Sequence, residues 1–253
     1  MPTDKKELIF AVFIASFILL ILAALVIILI YNYFRVRSER EKDILKTVFQ
    51  TQESEQNRIS EDLHDDIGGK LSALKLQNEL LLTDDQNDEN RELVKLNSEL
   101  IDRVVKDIRL IVRNQSSKYL LQNGLPSELT SICYQYKKLK GIAIELDIKE
   151  FECQLLPDFQ VALFRVLQEL LHNSIKHSNA SLIKIQFIES SDTLEINYSD
   201  NGKGFETKDV ENAGMGMKNI RTRIRLYNGQ VTFRSSPGVE TLFHFQFELQ
   251  HIS

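Results

Sequence analysis

Four short stretches of this chain gather side chains able to do chemistry. In RISEDLHDDIGGKLSALKL (58–76), His64 stands among Glu61, Asp62, Asp65 and Asp66. A carboxylate that takes the proton from one imidazole nitrogen leaves the other as a nucleophile, and Asp65 is the candidate base. Gly68 and Gly69 follow inside a helical pattern, each about 1 kcal/mol worse there than alanine, a broken local rule that often marks close approach of another body. In LFRVLQELLHNSIKHS (163–178), Glu169, Asn173 and His177 fall at i, i+4 and i+8 on one stripe, while Leu163, Val166, Leu167 and Leu170 face away. The Asn173 amide oxygen can meet a hydrated Mg²⁺, Glu169 can hold a water or the metal's shell, and Lys176 can reach phosphate oxygens. In YSDNGKGF (198–205), Asp200 can accept from an exocyclic amine such as that of adenine, and Gly202 and Gly204 let the chain take positive φ around a ligand. In AGMGMKNIRTRI (213–224), Gly214 and Gly216 precede a helix whose first N–H groups suit phosphate. Each stretch alone also reads as solvated helix, ordinary surface or a plain turn. Their order and spacing together carry the information.

The elements that must position these residues can be read from periodicity. From Arg35 to Leu82 there is no proline, and Ile44, Leu45, Val48, Phe49, Ile59, Leu63, Ile67, Leu71, Leu74 and Leu81 recur in steps that spell helix. TDDQNDEN (83–90) reads as a turn, and Leu93, Leu96, Leu100, Val104, Ile108 and Ile111 give a second helix. Such a hairpin buries one stripe and is expected to close with a second copy as a four-helix bundle; a tethered coiled-coil stalk is the alternative. After Asn123, Gly124 and Pro126 the texture changes. A helix ended by Gly141, a strand over 142–148 and a helix over 158–177 precede two strands joined at Ser190–Asp192. Two further strands flank Pro237 and Gly238. Helices among largely antiparallel strands predict a two-layer α/β domain rather than a doubly wound sheet.

The 253 residues allow one to two compact units. A net charge of -5 with no basic block argues against direct nucleic-acid binding. Two cysteines, Cys133 and Cys153, give neither a disulfide framework nor a zinc cluster and are expected as buried thiols. Residues 8–34 carry no charge over 27 positions. As a helix they would run about 40 Å, enough to cross a hydrocarbon core of about 30 Å with tilt, and too long for a cleaved signal. The run is flanked by Lys5 and Lys6 before it and by Arg35, Arg37, Arg40, Lys42 and Lys46 after it. The positive-inside rule therefore predicts a single-pass anchor in the cytoplasmic membrane, with residues 1–7 a short tail outside and the rest in the cytoplasm. Any stimulus is then expected to enter through lipid, a partner or the helix itself.

Over roughly 55–250 the motifs together resemble the bacterial sensor histidine kinases of the subgroup typified by the nitrate sensors and the membrane-fluidity sensor of lipid desaturation. LHDDIGGKL resembles its phospho-acceptor box, HNSIKHS with Glu169 the N box, DNGKG and GMGM its two glycine boxes. The resemblance implies an ATP-dependent protein histidine kinase that phosphorylates His64, with Asp65 as base, and passes the phosphoryl group to an aspartate of a response regulator. It implies ATP and Mg²⁺ as cofactors, Asn173 as the Mg²⁺ ligand, Asp200 as adenine reader and Gly202, Gly204, Gly214 and Gly216 in the nucleotide loop. Thr241 is implied near adenine through water, with Lys176 and His177 beside the nucleotide. The implied ATP-binding domain is the GHKL, or Bergerat, α/β sandwich shared with topoisomerase and chaperone ATPases. The expected division is an anchor at 8–34, a signalling helix at 35–57, a dimerisation and phosphotransfer domain at 58–118 and a catalytic domain at 119–253. A homodimer and a separate regulator, with a helix-turn-helix output domain by resemblance, are the expected partners, since no receiver or DNA-binding domain follows Ser253. Gly69 departs from the glutamine the subgroup usually places there, which bears on regulator dephosphorylation. The nine residues 205–213 form a short lid that suits the subgroup. A catalytically silent, membrane-tethered nucleotide-binding scaffold is the competing reading, and the P-loop pattern GxxxxGK[ST] is absent. His172, His244 and His251 carry no assigned role.

Overall fold

The computed structural model describes residues 3–84, 88–148, 151, 153–206 and 215–253. Its contacts divide the chain into two compact units, Met1–Phe49 and Gln50–Ser253. In the first unit, helix α1 begins at Thr3 and continues to Asp62. Its apolar stretch stands bare, with Phe10 68% and Leu19 70% exposed. Among the described residues this is the one helix long and apolar enough to cross a membrane. Arg35 and Arg37 pair with Glu39 and Glu41 one turn on, the spacing at which oppositely charged side chains meet on a helix.

In the second unit a π-helical turn, Leu63–Ile67, interrupts the helix, and α2 resumes at Gly68–Asp84. The sequence pattern spells a plain helix here. A π turn inserts one residue without breaking the rod, so a period of three and four does not reveal it. Helix α3, Asp88–Gln115, is longer than the polar 83–90 stretch predicts, because helix runs through Asp84 and resumes at Asp88. The hairpin is pinned by polar contacts. Lys75 Nζ meets Asp102 at 2.7 Å, and the buried Asn78 Nδ2 donates to the Val94 carbonyl at 2.7 Å and to Ser98 Oγ at 2.8 Å. Leu74, Leu96 and Leu100 remain more than half exposed.

Ser116 caps α4, Ser117–Asn123, by accepting from the Lys118 N–H. Gly124 at φ +81° turns the chain into α5, Leu125–Lys140, and Gly141 at φ +69° ends that helix as a left-handed cap, as the sequence predicts. The sheet runs in the order β1-β2-β3-β5-β4. Its strands are β1 Ala143–Asp147, β2 Leu182–Glu189, β3 Thr193–Asp200, β4 Gln230–Arg234 and β5 Thr241–Glu248. Only β1 and β2 are parallel, and α6, Pro157–Asn173, supplies the crossover such a pair needs. Helix α7, Met215–Leu226, packs beside α6. Alternation puts Ile183, Ile185, Phe187, Leu194, Ile196, Tyr198, Phe243, Phe245 and Phe247 on the covered face, against Leu120, Leu129, Ile132, Phe159, Leu163, Leu167, Ile220 and Ile224 of the helices. Phe159 anchors this core edge-to-face, with ring centroids 5.0 Å from Tyr227 and 4.9 Å from Phe247. The result is the expected two-layer sandwich with a largely antiparallel sheet.

Candidate functional site

The second unit holds two groups of candidate residues. The first lies at the C-terminal ends of α6 and β3. Glu169 and Asn173 are one turn apart, and the Asn173 Nδ2 donates to Glu169 Oε1 at 3.3 Å, which leaves the amide oxygen as that side chain's acceptor. The first turn of α7 closes on the same carboxylate: a Cβ on Gly216 would lie 2.3 Å from Glu169 Oε1. After Asn173 the helix widens into a second π-helical turn, Ser174–Ser178, ended by Asn179 at φ 54°. The wider turn carries Lys176 and His177, both exposed, and takes His177 off the straight i, i+4, i+8 line that an unbroken α-helix over 158–177 would draw. Gly214 and the lid residues 207–213 lie outside the described residues.

Asp200 ends β3 and is 4% exposed, opposite Thr241 in the ladder with β5. Both its oxygens are engaged from within the chain. Oδ1 accepts from the Gly202 N–H at 2.9 Å and Oδ2 from Ser174 Oγ at 2.7 Å, while Tyr198 OH in turn donates to Ser174 Oγ at 2.7 Å. Burial pushes the Tyr198 phenol well above the ordinary tyrosine range. The glycines after Asp200 are there for space. A Cβ on Gly202 would lie 2.4 Å from Ser178 Cβ, and one on Gly204, at φ +59°, would lie 2.1 Å from the Ser236 carbonyl oxygen. The Lys203 N–H donates to the Ser178 carbonyl at 2.8 Å and the Gly238 N–H to the Lys203 carbonyl at 2.7 Å, which fastens this loop on both sides. Thr241 Oγ1 sits 3.1 Å from Ser235 Oγ, and Ser235 accepts from the Phe205 N–H at 3.0 Å. Glu169, Asn173 and Gly216 thus form one cluster, and Asp200, Gly202 and Thr241 a second, joined through Ser174 and Ser178.

The other group surrounds His64, whose backbone lies in the first π turn. Three of its acidic neighbours pair with cations: Glu61 with Lys118, Asp62 with Arg58 at 3.1 Å and Asp66 with Lys70 at 2.8 Å. Asp65 lines a groove of about 300 Å³ with Gly68, Gly69, Leu71, Ser72, Val105 and Ile108. Among the described residues, and apart from the helix's own backbone, nothing lies within 4 Å of where a Cβ on Gly68 or Gly69 would stand. About two to three turns before His64, α1 is held by the sandwich. Arg165 of α6 makes a two-pronged pair with Glu53, and its Nη2 also donates to the Gln115 carbonyl. Asn57 and Ser117 exchange hydrogen bonds at 2.9 Å in both directions. Burial lowers the Arg223 guanidinium from its ordinary value, and Glu53 opposes that shift.

Sequence reasoning passed over Ser174, Ser178, Ser235 and Tyr198. Tyr198 had a signal, since it stands two residues before Asp200 on a strand and so shares its face. The serines had none beyond adjacency to motif residues. Cys133 is buried in the core, which pushes its thiol up to about 12, whereas Cys153, expected as a buried thiol too, is only partly buried beside that core, with its thiol raised by what burial it has.

Comparison with known proteins follows the same division. Residues 55–119 match the family model described as histidine kinase, and residues 159–251 the model described as histidine kinase-, DNA gyrase B-, and HSP90-like ATPase. The sensor histidine kinase ComP of Bacillus subtilis is 31% identical over 202 residues, which cover 76% of this chain and 26% of ComP. The sensor histidine kinase MctS of Rhizobium johnstonii is 27% identical over 220 residues, covering 85% of this chain and 48% of that protein. The signal transduction histidine-protein kinase/phosphatase DegS of Bacillus subtilis is 27% identical over 241 residues, covering 84% and 57%. The chain therefore spans from about a quarter to somewhat over half the length of these relatives. With a histidine-kinase helical domain followed by an ATPase domain of the kinase, gyrase and HSP90 type, the chain belongs to the sensor histidine kinases.

Proposed function

We propose that the chain is the kinase component of a two-component system, which phosphorylates itself on His64 from Mg-ATP and passes the phosphoryl group to an aspartate of a separate response regulator. The observation that carries this reading is the pairing of a histidine-bearing helical domain with an ATPase-type domain in which Asn173, Asp200, Gly202 and Gly216 converge at one end of the sandwich. Asp200 reads the base amine, Thr241 supports it through water, and the Gly202–Gly204 loop and the start of α7, with Gly214 and Gly216, cradle the phosphates, aided by Lys176 and His177. Asn173 and Glu169 present oxygen donors, the kind a hard, hydrated divalent cation takes. Among the described residues no cluster of three or more His, Cys, Asp or Glu could hold a metal, which fits a cation held largely through nucleotide oxygens. Bound with ATP, Mg²⁺ supplies charge neutralisation of the phosphates, the main demand of phosphoryl transfer.

At His64 one ring nitrogen attacks the γ-phosphorus as the bond to the bridging oxygen breaks. ADP leaves with that electron pair, and the proton on the other ring nitrogen passes to Asp65. The exposed Leu74, Leu96 and Leu100 favour a second copy of the chain closing the hairpin into a four-helix bundle. The bare apolar stretch of α1 anchors the chain in the cytoplasmic membrane, with the catalytic part on the cytoplasmic side. Gly69 offers no side chain to position a water, so hydrolysis of the regulator's aspartyl phosphate, which releases inorganic phosphate, is weak in this kinase. The test is incubation of the chain in lipid with Mg²⁺ and γ-labelled ATP, followed by acid and alkali. Label that survives alkali and not acid is the expected result. Nucleotide binding without label would favour the silent scaffold instead.

A further inference from the structure

Tyr198 and Ser174 are buried and polar and were given no role by the motif stretches they stand in, yet they form a chain that ends on Asp200. Its direction is fixed by chemistry. An ionised carboxylate only accepts, so the single hydroxyl hydrogen of Ser174 goes to Asp200 Oδ2, and Tyr198 must donate to Ser174. Burial pushes the Tyr198 phenol up, so it remains a donor at any working pH. The Gly202 N–H holds the other oxygen, Oδ1. Two donors from different segments thus stop the carboxylate from rotating and leave its remaining acceptor capacity in a fixed place. Hydrogen bonds in such a buried series polarise one another, which stiffens the arrangement further.

A carboxylate fixed in this way accepts from a purine with an amino group at position 6. It repels one with a carbonyl there, because two acceptors then face each other with no proton between them. We infer that Tyr198 and Ser174 are positioning residues that set purine selectivity, acting through the orientation of Asp200. The inference rests on the nucleotide-binding reading above. A tyrosine that merely satisfies its own hydroxyl in the core is the alternative, and it makes a different prediction: its loss would weaken every nucleotide alike.

The experiment is titration calorimetry of the full chain in lipid with ADP and with inosine diphosphate, which carries the 6-carbonyl. It compares wild type, Tyr198→Phe, Ser174→Ala and the double variant, with melting temperatures measured alongside. Tyr198→Phe removes one oxygen and keeps the ring, so the core stays filled. The expected result is an ADP affinity reduced about fivefold to tenfold in each single variant, the effect of one lost ordinary hydrogen bond. The double variant should lose little more, and inosine diphosphate binding should stay within about twofold, since it never used the relay. An equal loss for both nucleotides, or an undiminished preference for ADP in both single variants, overturns the relay alone. Wild-type protein that binds neither nucleotide overturns the nucleotide-binding reading, and the relay with it.

Discussion

The nucleotide end of the sandwich and the turn around His64 use the same residue, glycine, in opposite circumstances. At Gly202, Gly204 and Gly216 a methyl group would collide with Ser178, with the Ser236 carbonyl or with Glu169, at separations of 2.1 to 2.4 Å. At Gly68 and Gly69 the same methyl group would meet nothing within 4 Å among the described residues beyond the helix's own backbone. The first site is assembled inside one chain, with its glycines demanded by neighbours already present and its carboxylate held by donors from two segments. The second lies in the open among the described residues, beside the groove that Asp65 lines. In the function proposed above, one is the nucleotide site and the other the phosphoryl acceptor. Between them runs the end of α1, which the sandwich grips at Glu53 and Asn57.

That contrast can be broken at three strengths. The largest effect is expected at the grip. The Arg165 and Glu53 side chains are 10% and 13% exposed, and Arg165→Ala takes from the Glu53 carboxylate its two-pronged partner. Removing one partner of such a pair costs about 3–5 kcal/mol, so denaturant melts of Gln50–Ser253 should lose most of their stability margin. A loss under about 1 kcal/mol would mean that the grip is superficial. Next comes Gly204→Ala, which adds left-handed strain of about 1–2 kcal/mol to a collision with backbone that cannot swing aside. ADP affinity measured by calorimetry should fall more than tenfold, in the sense that about 1.4 kcal/mol is tenfold. Unchanged affinity would show that the loop does not contact nucleotide. The smallest effect, of opposite sign, is expected for Gly68→Ala. Open space and helical geometry predict a gain of up to about 1 kcal/mol and a higher melting temperature. A lower melting temperature would contradict the open turn, whereas a stabilised protein with slower label transfer would sharpen the comparison by showing that an outside body needs the gap.

How much of this could be read in advance depended on whether the feature was periodic. Strands β2, β3 and β5 alternate so regularly that their buried faces follow from the letters, and Gly141 marks the end of α5 because few other residues adopt its φ of +69°. The two π-helical turns, Leu63–Ile67 and Ser174–Ser178, are invisible to the same reading, since five residues do not distinguish a wider turn from an ordinary one. Both fall where the candidate chemistry is, which is where local rules are most often broken. In the nucleotide cluster, Asp200, Gly202 and Asn173 were legible from their spacing. The Tyr198–Ser174 link was not, because it joins the end of a helix to a strand 24 residues later and exists only once both are packed. The grip of Arg165 on Glu53 spans 112 residues and has no sequence signature at all.

The central claim is that binding and delivery are separate, with nucleotide held at the Asp200 end and phosphate received at His64. Its most direct test is to compare wild type and His64→Gln, both full length in lipid, for ADP affinity and for incorporation of alkali-stable, acid-labile label from γ-labelled ATP. The account predicts that His64→Gln binds ADP as wild type does and takes up no label. Label on His64→Gln, or loss of its ADP binding, would contradict it.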